Sequence, residues 1–320
     1  MSYSSSYNFS MSCDELISES LEILNAVAKG QTPKAPDLNK GRRRLNILLK
    51  NIMGRNNPLM PGLKIWLRKS TTLTLTATAQ YQLKPSTIAF ASGGTYEPLP
   101  GDTITGATGA ATATIIDVEV DTGTWDGGDA AGTITLINQS GAFEAENLDI
   151  GSNTDVATIT GDSSQEGGGK DIIIPLNIQS IIRRNSNDID SPPMSRMTQN
   201  EYNSISNKSA VGTPSKYFYE RKLDAGYLTL NRIPSDITDT LIINYLSEIQ
   251  DLDDGANDLY IPGEYYRPIM WMLADDLEPE YPVSEKILKK IEAKVRESNG
   301  FAQTFEPDES DAYFQPGLDE

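Results

Sequence analysis

The sequence contains no lysine or arginine between Lys84 and Lys170. The residues in between include 13 Asp or Glu and are rich in Thr, Gly, Ala and Ile, whereas the segments on either side carry both signs of charge. Short runs of β-forming residues separated by Gly, Asp and Asn are typical of strands joined by tight turns. We therefore predict an acidic, all-β module over residues 97–168, inserted into a host of different composition.

The predicted module contains two similar stretches. Residues 101–106 lead to Ala113-Thr114-Ile115, and residues 146–151 lead to Ala157-Thr158-Ile159. An offset of about 45 residues between them indicates two related sheets.

The host segments combine helical and strand patterns. Ser12 and Glu15 form a capping-box pattern before the first helix, for which Gly30 is the expected end. A second helix is predicted after Asp37, and two more follow the module near the C-terminus. The expected strands show alternating or continuous apolar runs; they cover residues 72–78, 172–175, 217–220, 227–230 and 240–245.

These patterns predict an α+β fold with a helical core, made of an N-terminal helical hairpin and a C-terminal helix pair. A small antiparallel β-sheet and the inserted all-β module complete it. The expected layout is a flexible N-terminus, a first core part, the module, a second core part and an extended C-terminal tail, at residues 1–12, 13–96, 97–168, 169–300 and 301–320.

Composition argues against several functional classes. The chain has no histidine and a single cysteine, Cys13, which removes the commonest general base, an internal disulfide and most transition-metal sites. A net charge of −18 argues against a protein that grips nucleic acid by its phosphates. We expect a non-enzymatic protein without cofactor or metal.

No apolar run reaches the roughly 18 residues that a membrane span needs, so no membrane partner is expected. The first ten residues lack the basic and then apolar pattern of a secretory signal, which predicts that the chain is made and assembled in the cytoplasm or leaves by a route other than secretion.

A basic band lies within the acidic chain. Between Lys29 and Lys69 there are 11 Lys or Arg against one acid. Arg42, Arg43 and Arg44 lie within it, and three consecutive helical residues cannot all face one ligand. We expect a contact with acidic protein surface on a neighbouring copy, or one arginine facing a DNA channel, although a solvated face is an open alternative.

Two acidic stretches have alternative interpretations. Residues 251–258 resemble half of a calcium loop, but the glycine is fifth instead of sixth and the twelfth position is Pro262, so a solvated loop is favoured. Asp275, Asp276, Glu278 and Glu280 offer carboxylate pairs for acid/base chemistry, although a solvated face explains them better.

The C-terminal tail is acidic, contains proline and spaced aromatic residues, and has no helical or strand period. Such segments often order on a partner, although a frayed tail is an open alternative. Its candidate binding residues are Phe301, Phe305, Tyr313, Phe314 and Pro316.

The order of the host segments resembles the head-to-tail adaptor proteins (connector, or tail tubular A-like) of short-tailed bacteriophages. The resemblance covers about three-quarters of the chain and excludes the inserted module. The pieces that carry it, besides the N-terminal hairpin, are Trp66, Thr74-Leu75-Thr76 with Tyr81, Pro175-Leu176-x-Ile178, Arg183-Arg184, Met197-Thr198-x-x-Glu201-Tyr202, Asn207-Lys208, Gly212-x-Pro214, Tyr217-x-Tyr219, Leu228-x-Leu230-x-x-x-Pro234, Leu273-Ala274 and Glu309-Ser310-x-x-Tyr313-Phe314-x-Pro316.

The resemblance implies a structural virion protein of the phage neck. Copies form a ring, usually of twelve, that joins the portal protein to the tail nozzle or fibres. The ring extends the DNA exit channel and helps to retain packaged DNA, which slides through the acidic lumen without specific binding. The C-terminal tail would clasp the portal.

Two other functions fit parts of the sequence. A receptor- or carbohydrate-binding virion protein would use the module, with Trp125 and Phe143 stacking on sugar. A hydrolase without histidine would use the acids at 275–280. Deleting residues 97–166 tests the first, because an adaptor would still form rings, and neutralising the four acids tests the second.

Overall fold

The computed structural model describes residues 9–54, 67–94, 96–159, 169–252, 254–259, 261–281 and 283–304. The chain divides into two compact units. One, the helical unit, consists of Met1–Arg68 and Glu248–Glu320, and the other, the β unit, is Lys69–Ser247.

The described part of the helical unit contains four of the five α-helices. They are α1 (Cys13–Ile23), α2 (Ala35–Gly54), α4 (Tyr266–Leu277) and α5 (Glu285–Thr304). The short α3 (Gln199–Asn203) lies in the β unit. The strands are β1 (Arg68–Thr74), β2 (Gln80–Leu83), β3 (Ser86–Gly93), β4 (Thr103–Gly106), β5 (Thr112–Thr122), β6 (Ala130–Ser140), β7 (Asn147–Ile150), β8 (Asn153–Ile159), β9 (Asn177–Arg184), β10 (Ser195–Arg196), β11 (Val211–Gly212), β12 (Lys216–Arg221), β13 (Gly226–Leu230), β14 (Ile233–Pro234) and β15 (Thr240–Leu246).

The expected helical core with a small sheet is wrong. The chain is mostly β, with about 35% strand in four sheets against 26% helix. Helices dominate the sequence pattern because the longer ones carry their apolar period within a single stretch of sequence. Many of the strands are short and pair with residues far along the chain, so their number is hidden in the sequence.

Helix α4 lies at the centre of the helical unit, where it packs against α1, α2 and α5. Its apolar side chains therefore occupy most of its circumference, and the buried ones include Ile269, Met272, Leu273 and Leu277. Helices α1 and α2 approach closely at Gly41, where a Cβ atom would lie 2.4 Å from Cγ2 of Ile17.

The caps of α1 define its limits. The predicted capping box is confirmed: the hydroxyl of Ser12 accepts from the N–H of Glu15, whose carboxylate accepts from the N–H of Ser12. The expected end at Gly30 is wrong, because the helix ends at Ile23 and Asn25 adopts a left-handed conformation with φ of 54°.

Six strands of the β unit form a closed barrel in the order β3-β6-β5-β4-β7-β8. Every pairing in it is antiparallel. Its interior is filled by buried apolar side chains from all six strands and the loops. The barrel strands run from Ser86 to Ile159, so the predicted start of the module at residue 97 omits the first strand, β3.

The barrel consists of two halves of three strands, β3–β5 and β6–β8. Positions 44 residues apart occupy matching places, since Ile104 and Leu148 are both buried, as are Ile115 and Ile159. The N–H of Ile115 donates to the carbonyl of Asp102 at 2.8 Å, and the N–H of Ile159 donates to that of Glu146 at 2.9 Å. The repeat expected from sequence is present, with an offset of 44 residues instead of about 45, but its two halves form one closed barrel and not the two sheets expected.

Three further sheets complete the β unit. Their strand orders are β1-β15-β9, β10-β12-β13-β2 and β11-β14, and they include parallel as well as antiparallel pairs. One buried cluster joins the first two sheets, with Leu73, Tyr217, Leu228 and Leu241 among its members. The strand expected at residues 172–175 is wrong, because the strand begins at Asn177.

The chain enters and leaves the barrel at neighbouring points. The N–H of Lys84 donates to the carbonyl of Lys170 at 3.3 Å, and Leu83 bridges Lys170 in parallel. The two lysines that bound the cation-free stretch therefore also mark the entry and exit of the barrel.

Candidate functional site

Helix α2 carries the predicted arginine site, and its three arginines have different environments. Arg42 makes a two-point ion pair with Asp14 of α1, with Nε–Oδ1 and Nη2–Oδ2 distances of 2.9 and 2.8 Å. This pair raises the pKa of the guanidinium. A Cβ atom on Gly255 would lie 2.1 Å from Oδ2 of Asp14, so the loop backbone also approaches the pair closely.

Arg44 faces α4 and the turn that follows it. Its guanidinium donates to Glu280 at 2.9 Å and lies 3.7 Å from Asp276. Lys40 also pairs with Glu280, and Lys50 pairs with Asp251 at 2.8 Å. Much of the basic band is thus neutralised within the helical unit.

Arg43 differs from its neighbours. Its side chain is exposed, and it makes no ion pair or hydrogen bond with the residues that the structure describes. One turn further on, Ile47 is 55% exposed. Arg43 and Ile47 therefore form an outward-facing strip, and the three predicted arginines do not form a single site.

The outer face of α1 is acidic. Glu15 serves the capping box, and the carboxylate of Glu22 accepts from the N–H of Gly30 at 3.0 Å. Glu19 is exposed and has no partner within the described ranges. Beside it lies an open groove of about 420 Å³, lined by Met11, Glu15, Glu19 and Phe9, which is 76% exposed.

The carboxylates at the end of α4 have structural partners. Asp276 and Glu280 bind the cationic groups of α2. Partial burial, together with the charges of Glu292, Glu278 and Asp276, raises the pKa of Asp275. The cluster thus shares its charge with α2.

The described residues show no grouping of metal ligands, and their single thiol is buried. Among residues 9–54 and the other described ranges, no three His, Cys, Asp or Glu side chains are grouped to hold an ion. In the calcium-like loop, Asp251 binds Lys50, and Asp254 accepts from the N–H of Ala256 at 3.2 Å. Burial raises the pKa of Cys13 to about 11, so its nucleophilic thiolate is disfavoured.

The aromatic residues suggested for sugar binding lie in the barrel core. Phe143 is fully buried, and Trp125 is 7% exposed and stacks on Phe90 with ring centroids 5.1 Å apart. Neither ring offers a face to a ligand, so the sugar-stacking role expected of them is wrong.

The barrel also contains a buried carboxylate that the sequence patterns did not single out. Glu146 accepts from the N–H groups of Thr108, Gly109 and Glu144 at 2.6, 2.8 and 3.3 Å. These bonds, foremost that from Gly109, lower its pKa. Glu146 therefore anchors the loop between β4 and β5.

The predicted portal-binding residues lie mostly outside the described residues. Phe301 falls within α5. Phe305, Tyr313, Phe314 and Pro316 belong to residues 305–320, which the structure does not describe.

Sequence reasoning missed the partners of the arginines and the exposed residues beside them. Asp14, Asp276 and Glu280 are far from α2 in sequence, and no local pattern indicates the pairing. The acidic face of α1 does have a local signal, because Glu15, Glu19 and Glu22 recur at helical spacing.

Comparisons with known proteins leave the family open. No protein-family model matches the chain, and no curated protein matches it significantly. Within the described ranges, no helix is both long and apolar enough to cross a membrane.

Proposed function

We propose that the chain is a non-enzymatic structural subunit of a phage neck, which forms a ring between the portal protein and the tail nozzle or fibres. In a ring of twelve copies it would extend the DNA exit channel and help to retain packaged DNA. The proposal rests on the order of the host segments, which resembles the adaptor proteins of short-tailed phages.

One structural observation supports this function best. Cationic groups on α2 that could hold DNA phosphates are bound to carboxylates of the same chain, with Arg42 on Asp14 and Arg44 on Glu280. The barrel adds no lysine or arginine, and the net charge is −18. A surface with this balance repels the DNA backbone, which suits a channel through which DNA slides.

The test is native mass spectrometry of the full chain, alone and mixed with a portal protein from the same genome. A closed ring, or a ring that forms only on the portal, is the expected result. A chain that stays monomeric and ignores the portal would overturn the proposal.

The C-terminal tail has its own test. Ending the chain after Thr304 removes Phe305, Tyr313, Phe314 and Pro316 and should abolish portal binding while self-association persists. Removing residues 1–8 is the matched control and should leave both unchanged. Full portal binding by the C-terminal truncation would exclude the tail as the clasp.

A further inference from the structure

Arg43 of α2 and Glu19 of α1 are exposed charges that no residue within the described ranges pairs with. Arg43 of α2 is flanked by cations bound to Asp14, Asp276 and Glu280. Glu19 of α1 is likewise flanked by paired charges. Glu15 serves the helix cap, Glu22 accepts from Gly30, and Asp14 binds Arg42. Each helix thus presents one outward charge that no described residue satisfies.

Apolar side chains accompany both charges. Ile47, one turn beyond Arg43, is 55% exposed, and Phe9, beside Glu19, is 76% exposed. The groove of about 420 Å³ next to Glu19 has Phe9 and Met11 in its lining. A basic strip with one exposed apolar side chain therefore matches an acidic groove with an apolar lining.

We propose that the Arg43–Ile47 strip of one copy docks in the groove beside Glu19 of a second copy. Residues four apart on a helix lie on one face about 5–6 Å apart. The pair Arg43 and Ile47 can therefore lie along α1, with the guanidinium at Glu19 and the isoleucine at Phe9. Charge complementarity sets the register of such a contact.

The contact joins two different surfaces of the same chain. A heterologous contact of this kind continues from copy to copy and closes into a ring when its rotation allows. The inference rests on the proposed ring function, for which it names the surfaces where copies meet.

Charge reversal tests the contact without disturbing intrachain pairs. Arg43→Glu and Glu19→Arg should each weaken self-association of the full chain at least about tenfold, because they place like charges opposite each other. The double variant should recover most of the wild-type association. Lys290→Glu, an exposed position on α5, and Asp126→Arg, an exposed position on the barrel, make the same changes in net charge and should have no effect.

A disulfide tests the geometry directly. Chains with Phe9→Cys mixed with chains carrying Ile47→Cys keep both Glu19 and Arg43 and should give a cross-linked dimer under mild oxidation, whereas either variant alone should not. The buried thiol of Cys13 does not compete. Circular dichroism checks that each variant folds.

The outcomes separate the inference from the proposed function. Rings that form equally well with either reversal overturn the inference and leave the ring function standing. Reversals that abolish self-association, with rescue in the double variant but no portal binding, support the contact and overturn the neck function. A monomer under every condition, portal included, overturns both.

Discussion

The helical unit and the barrel hold their carboxylates in different ways. In the helical unit, Asp14 and Glu280 face arginine side chains at 2.8 and 2.9 Å. The barrel contains no lysine or arginine, and its carboxylates accept from backbone N–H groups instead, as Glu146 and Asp129 do. Ion pairs cancel charge, whereas backbone dipoles satisfy hydrogen bonds and leave the charge in place. The barrel therefore stays strongly acidic, whereas the charges of α2 are largely cancelled by carboxylates of the helical unit.

The largest expected effect concerns the limits of the barrel. Replacing residues 85–169 with a linker of about four Gly and Ser residues should leave the rest of the chain folded, because Lys84 and Lys170 are adjacent. Deleting residues 97–166, the limits used in the sequence-based test of ring formation, instead leaves β3 without its barrel partners and should give an aggregating protein, so that test requires the limits 85–169. Circular dichroism and native mass spectrometry distinguish the two. Equal folding of both deletions would contradict the barrel boundaries.

The next effect is on the barrel core. Phe143→Ala should lower the free energy of unfolding by about 3–5 kcal/mol, since it removes a fully buried ring from a closed barrel. Leu223→Ala, at a fully exposed side chain, should change it by less than about 0.5 kcal/mol. Urea unfolding measures both. A Phe143→Ala variant as stable as the control would mean that the ring is not packed as described.

A smaller effect tests how the barrel holds its charge. Glu146→Gln should cost about 1–3 kcal/mol of stability at neutral pH, because the three N–H donors lose a charged acceptor. The lowered pKa of Glu146 means that its contribution is present above the ordinary value of 4.5 and is lost as the pH falls through the folded-state pKa.

The difference in stability between wild type and Glu146→Gln should therefore shrink in acid. Asp126→Asn, an exposed acid on the same barrel, is the control and should show no such difference. Urea titrations across the acid range provide the measurement, and a gap that persists undiminished at low pH would exclude an anionic anchor.

The smallest effect concerns the helical unit. Ser12→Ala removes the cap of α1 and should cost about 1 kcal/mol. Alkylation of the buried thiol of Cys13 measures this loss of stability, because the thiol reacts only when the helix opens locally. The loss of about 1 kcal/mol should make alkylation about fivefold faster. Thr198→Ala, the same change in the cap of α3, should leave the labelling rate unaltered. Equal acceleration in both variants would show that Cys13 does not report on α1.

Sequence reasoning located the features that are encoded locally. The capping box at Ser12 and the all-β character of the insert could be predicted, because caps and alternation involve residues close in the chain. The barrel repeat was visible for the same reason. The candidate site was only partly predictable. The helical period of α2 shows that the three arginines face different directions, but it does not show which of them is paired.

The amino-acid sequence by itself determined that the chain is acidic, lacks histidine and contains a cation-free insert between Lys84 and Lys170. Tertiary structure decided that β-structure predominates and that the insert closes into a barrel from Ser86. It also decided that, among the residues the structure describes, Arg42 and Arg44 face an acid and Arg43 does not. The physical reason is that strand pairing, barrel closure and ion pairing join residues far apart in the chain, and only folding selects their partners.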